Sequence, residues 1–206
     1  MTQPRIPLLD VDSNFSPEQQ RVVDALVGRR GGRIPGPFRF ALHCPEIAEA
    51  MHPLGETLRL KTTFPLRLSE LAIIVTGRRW NSQLEFHIHA EAAIAAGLDP
   101  ACVEAIRLAQ APVFADGAEA EVYEFARELQ QTGSVDAPLH AAVTARWGER
   151  GVVELTGVIG YYTMVSMTLN AHEIPLPDGA SAPLALPPGG GLTTLPAGRL
   201  AKVTAV

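Results

Sequence analysis

The sequence predicts an all-α protein: one helical domain of about eight helices over residues 1–172, then a Pro/Gly-rich extended tail over residues 173–206. Three observations predict it. Apolar residues recur at helical spacing through successive segments. Caps or prolines open those segments and glycines close several of them. The last segment, Glu149–Asn170, is apolar over more than one stripe, as expected of a helix buried within or between subunits.

The elements follow in order. Ser16-Pro17-Glu18-Gln19 is a helix start: Ser16 caps, Pro17 takes the first position and Gln19 completes a capping box, with the helix running to about Val27 and ending in GRRGG. The glycines and prolines of GGRIPGPF favour a fixed, tight loop. That loop is either a connector or a cavity wall to which Pro37 and Phe38 supply apolar surface. Pro45 opens EIAEAMHPLGETLRL, interrupted at Pro53, with His43 and His52 as end or surface groups. Ile73–Thr76 could be a buried strand, but the apolar pattern starts at Leu66 and Pro65 suits a first helical position, so helix is expected. A further helix runs from Ser82 to its stop at Gly97. Asp99-Pro100 starts ACVEAIRLAQ, Asp116 starts the helix that ends at Gly133, and Asp136 and Pro138 open the one closed by Gly148. The final apolar helix repeats the pattern of 70–77 faintly at 154–161, through chance or through two related halves that would pair Glu154 with Glu70. From Glu173 onward the composition is too rich in Pro, Gly and small residues to form a helix; the tail is disordered or wraps a neighbouring subunit.

Composition sets limits on function. At 206 residues and 47% hydrophobic, the chain is long enough for one substantial core. Net charge is −5, so a basic footprint for nucleic acid is missing. Cys44 and Cys102 form no CxxC, which excludes a thioredoxin-like motif and fits a reducing cytoplasm. The first residues do not read as a signal peptide, and uninterrupted apolar runs fall short of the roughly 18 residues of a membrane span. The expected location is the cytoplasm, without a membrane partner. Phosphate-binding glycine motifs and the G-x-S-x-G elbow are missing too.

Chemistry concentrates in Ser69–Leu98. At about 100° per residue, Ser82, Glu85, Phe86 and His89 share one face of their helix, and His87 points elsewhere. Chain reversal near Gly77–Asn81 permits Glu70 to return over that face. A carboxylate beside an imidazole raises its pKa and fixes its tautomer, which suits an acid/base near neutral pH. Ser82-x-x-Glu85 reads equally as a capping box, which would spend both side chains on backbone N–H groups. Trp80 is expected as cavity wall or core. A metal is not expected, because Glu85 and His89 are one turn apart but His87 faces away and a second cluster is missing.

Glu70, Ser82, Glu85 and His89 occupy the spaced positions of E-x11-C-x2-C-x3-H, with Ser82 and Glu85 where the two cysteines would stand. In this the chain resembles the carboxymuconolactone decarboxylase/AhpD-like family, whose thiol-peroxidase branch carries that pattern. R-W-N-S-Q-L-E-F-x-x-H is similar to the decarboxylase-like branch, and GGRIPGPFRFALHCPEIAEAM to the segment that precedes it. The likeness covers residues 31–97 well and 99–177 loosely.

The resemblance implies an AhpD-like helical fold, a homo-oligomer (trimer or hexamer) and cofactor-independent proton-transfer chemistry on a small carbonyl or lactone acid. A carboxymuconolactone decarboxylase-like lyase is the nearest named reaction. It implies His89 as acid/base, Glu85 and Glu70 as orienting or relaying carboxylates, and Ser82 as a substrate hydrogen-bond donor. Trp80, Phe86, Pro37 and Phe38 would contact substrate. Two other functions stay open: a hydroperoxidase, which conflicts with the missing cysteine pair, and a small-molecule-binding protein without turnover.

Overall fold

The structure is a computed structural model, and it describes residues 3–28 and 32–201. The expected ending of the first helix in GRRGG and the start of the following loop fall partly on residues 29–31, outside the described residues. Eight helices are present among the described residues: α1 (Pro17–Val27), α2 (Phe38–Ala41), α3 (Pro45–Leu60), α4 (Leu66–Arg79), α5 (Gln83–Ala95), α6 (Pro100–Arg107), α7 (Gly117–Thr132) and α8 (Ala137–Ala171). Two short strands, β1 (Val113–Phe114) and β2 (Arg199–Leu200), pair in parallel. The fold is all-α, as expected.

The local signals place most boundaries. Ser16 and Gln19 form the reciprocal capping box, and Asp99, Asp116 and Asp136 each accept a bond from a first-turn N–H. Gly97 and Gly133 take positive φ just past α5 and α7. The number of helices matches the expectation, but the membership differs. The turn α2 arises inside the expected loop. The last two expected helices follow one another in α8, divided where expected by a kink at Gly148 (φ 68, ψ 177). Pro53 does not interrupt α3 either: the helix continues through it to Leu60.

α4 is the centre. Leu68 to Arg78 are all buried, because α5, α7 and α8 pack around it. This is why its sequence passes for a buried strand: a helix enclosed on most sides loses its polar stripe. Among the described residues, α8 alone would suit a membrane span by length and composition, but 44% of its apolar window is buried, and it packs on α4 and α7. The α3–α8 contact brings Gly55 under Tyr161, where a Cβ would lie 2.5 Å from the phenol oxygen, so any larger residue there would displace the Tyr161 ring. Glu154 does not take up a site like that of Glu70; it accepts the Thr63 N–H and hydroxyl, each at 2.7 Å.

Over its described residues, 173–201, the tail does not stand free: it is a belt over its own helices. Leu184 exchanges two 2.9 Å bonds with the Gln83 amide. Thr193 donates its N–H to the Arg79 carbonyl at 2.9 Å and accepts from Arg78. The Tyr123 hydroxyl holds the Pro196 carbonyl at 2.7 Å. Leu184 and Leu195 are buried. An extended chain with few internal hydrogen bonds becomes ordered here because helix side chains and a helix-end carbonyl satisfy its backbone.

Candidate active site

The α4–α5 turn brings the acid/base residues together. Trp80 ends α4, Asn81 adopts φ 51, and the Ser82 N–H returns to the Gly77 carbonyl at 2.9 Å. The reversal lays α5 along α4, and Glu70 reaches His89 from below. Nδ1 of His89 lies 2.5 Å from Oε2 of Glu70. Its other nitrogen, Nε2, lies 3.0 Å from Oε1 of Glu85, one helical turn earlier on α5. All three side chains are buried.

Glu85 is turned to the imidazole and not to the helix end, so the Ser82/Glu85 capping box is not formed, and the Ser82 side chain makes no capping bond. Glu85 Oε1 and Glu70 Oε1 have no hydrogen-bond partner among the described residues. The Glu85–Nε2 contact is therefore an ion pair without hydrogen-bond alignment.

Burial alone would lower the His89 pKa. The hydrogen bond to Glu70, then the contact and charge of Glu85, override that and raise it to about 9. The ring is an imidazolium at neutral pH. The edge-on ring of Tyr162 from α8 sits 5.0 Å away at 79°. Burial, then the charge of Glu85, pushes its phenol above the usual range, so it stays a neutral donor.

Glu85, His89 and Tyr162 open on a cavity of about 210 Å³. Pro37 and Phe38 line it, as do Arg59, Ile88 and Leu169. Glu70 stays behind the imidazole. The other sequence-predicted residues lie elsewhere. Phe86 is buried in the core, because the arc holding Ser82, Glu85, Phe86 and His89 is wide enough for one edge to meet the cavity and the other the interior. Ser82 and Trp80 line an adjoining cleft beneath the tail, sharing Leu84 and Leu169 with the cavity. There the Trp80 ring N–H donates to Gln130 at 2.9 Å, and the buried Ser82 hydroxyl is unpartnered among the described residues. They are separated from the imidazole because α5 begins only after Ser82, at the α4–α5 turn against which the tail packs. His87 does not line the cavity.

Sequence reasoning missed Tyr162 and Arg59. The signal for the first was Tyr161-Tyr162, polar-tipped aromatics inside an otherwise apolar helix. Nothing local distinguishes Arg59 from other surface arginines. Among the described residues, no three His, Cys, Asp or Glu side chains are grouped to hold a metal ion; the imidazole already faces a carboxylate at each nitrogen.

Among solved structures, the chain is similar to an uncharacterized peroxidase-related protein from Silicibacter sp. TM1040, with a TM-score of 0.68 at 16% identity over 86% of this chain and 96% of that one. It is also similar to an uncharacterized peroxidase-related protein from Ralstonia eutropha JMP134 described as an alkylhydroperoxidase AhpD core (TM-score 0.66, 13% identity, 86% and 94% coverage). The chain has the AhpD-like helical fold. No protein-family model matches its sequence, and no curated protein matches it. At these identities the likeness is one of fold, and fold does not carry function. Within this AhpD-like fold, the carboxylate–imidazolium–carboxylate row is what the chain offers to chemistry.

Proposed function

We propose that the chain is a cofactor-independent proton-transfer enzyme acting on a small carbonyl or lactone acid, with carboxymuconolactone decarboxylase the nearest named reaction. One observation carries this reading: an imidazole held between two buried carboxyl groups at the wall of a small cavity. Glu70, behind the ring, fixes its orientation through Nδ1. Nε2 and Glu85 face the cavity and exchange the proton with substrate. When a C–H bond next to a carbonyl breaks, its proton passes to the Glu85 carboxylate, and when a C–C bond breaks, carbon dioxide leaves; in both cases the electron pair moves onto the carbonyl oxygen as an enolate. A cationic His89 and the neutral phenol of Tyr162 are suited to stabilise that oxygen, and Nε2–H returns a proton to carbon. Ser82, in the adjoining cleft, is left without a direct part.

The similar structures are called peroxidase-related, so a hydroperoxidase is the second reading. Against it, Ser82 and Glu85 stand at the cysteine positions of the resembled motif, and serine cannot cycle through a disulfide. Cys102 is buried, with its thiol pushed up to about 11 by burial and then by Asp99, which makes it a poor nucleophile. A binding protein without turnover is the third.

The same proposal keeps the protein in the cytoplasm as a homo-oligomer, without a nucleic-acid or membrane partner. Support for assembly is the row of exposed apolar side chains on α8, Val153, Met164 and Met167. The test of function is deuterium exchange: keto acids and lactone acids are incubated with the protein in deuterium oxide, and loss of C–H signal beside the carbonyl is followed by NMR. Exchange that is equally fast in wild type and His89→Gln would sink the reading.

A further inference from the structure

Resting on that reading, we infer that Arg59 selects the substrate: it receives one carboxylate at the cavity mouth and holds the molecule so that its carbonyl lies at His89. Among the described residues lining the cavity, Arg59 is the permanent cation. Its side chain is 42% exposed, and its contact with Glu70 Oε1, at 3.8 Å, is too long for a hydrogen bond. The planar fork of guanidinium donors, which matches a carboxylate in two-point geometry, is thus left for a ligand.

The geometry also limits ligand size. Glu70 touches both cations, His89 through Oε2 and Arg59 through Oε1. Guanidinium and imidazolium are therefore neighbours, and a carboxylate on one and a carbonyl at the other belong to one short molecule. A cavity of about 210 Å³ agrees, since drug-sized ligands fill roughly 300–1,000 Å³. The remaining walls, including Phe38, Ile88 and Leu169, are apolar. Glu85 lines the cavity, as does Glu56, which is paired with Lys61 at 3.3 Å. A second, departing carboxylate on the ligand would meet these like charges, which are relieved when it leaves as neutral carbon dioxide. The carboxylate on Arg59 is a handle and not a leaving group, because a salt bridge to a departing carboxylate would stabilise the ground state against the transition state.

The probe is levulinate, a short keto monocarboxylate, compared with its neutral methyl ester. Each is titrated into nitrogen- and carbon-labelled protein while the ring nitrogens of His89 and the ring carbons of Tyr162 are followed by NMR. Levulinate should shift both rings in wild type and bind at least about tenfold more tightly than the ester. Arg59→Gln should bind acid and ester alike, and Arg59→Lys should keep part of the preference. Equal binding of acid and ester by wild type, a preference surviving in Arg59→Gln, or no shift with levulinate at its solubility limit each overturns the assignment. The underlying reading fails separately: if His89→Gln binds levulinate with the acid preference intact and still exchanges its C–H hydrogens, Arg59 remains the carboxylate anchor and His89 is not the acid/base.

Discussion

Oε2 of Glu70 and Nδ1 of His89 meet at 2.5 Å across two helices, and both side chains are buried. A carboxylate buried this deeply is costly unless a cation or donor meets it. Glu70 therefore commits His89 to one orientation, with Nε2 toward the cavity and Glu85. The first three predictions test consequences of that contact.

His89→Gln should retain the fold and lose proton exchange by roughly two to four orders of magnitude, the usual worth of general acid–base catalysis. Glu85→Gln should lose less, because without the Glu85 charge the imidazole gives up its proton more readily and can take the substrate proton itself. His87→Gln should leave the rate alone, since His87 does not line the cavity. Exchange rates in the three variants, beside their circular dichroism, check the order. If all three lost activity equally, the geometry would be the wrong basis for assigning roles.

Protonated His89 should be visible in the pH dependence of stability. Its folded pKa is raised from 6.5 to about 9, burial opposing and Glu70 and Glu85 prevailing. The stabilisation is fully present below about pH 6.5 and is lost as pH rises through about 9. Urea midpoints should fall across that window in wild type and stay flatter in His89→Gln. A wild-type midpoint independent of pH there would show that the imidazole is not held as a cation.

Glu70→Gln removes the strongest influence that raises His89, so the alkaline limb of the exchange rate should move to lower pH. An unmoved limb would mean that another group sets it.

The C-terminal belt is tested by a pair of leucines. Leu195→Ala, at 1% exposure, should cost roughly 2–5 kcal/mol in urea unfolding. Leu186→Ala, at 64% exposure, should stay within about 0.5 kcal/mol of wild type. Equal, small effects would mean that the belt does not contribute to the cooperative fold.

Disulfide-dependent consumption of hydroperoxides should be missing, because Cys44 and Cys102 lie outside the Glu70–His89 frame. A peroxidase assay with a thiol reductant checks this. Robust turnover that vanishes in the Cys44→Ser/Cys102→Ser variant would restore the hydroperoxidase reading.

The sequence by itself determined most helix boundaries, since Ser16, Asp99, Asp116, Asp136, Gly97 and Gly133 act through bonds and dihedral preferences within a few residues. It also placed Glu85 one turn before His89, because helical spacing is local. Tertiary structure alone decided the rest. Packing of α5 on α4 brought Glu70 to His89 and turned Glu85 away from the capping box. The α3–α8 contact set Arg59 and Tyr162 around the same cavity, and side chains of α4, α5 and α7 gave the Pro/Gly-rich tail the bonding partners it lacks by itself. Such contacts join residues far apart in the chain, and packing and burial, which fix them, leave no local pattern to read.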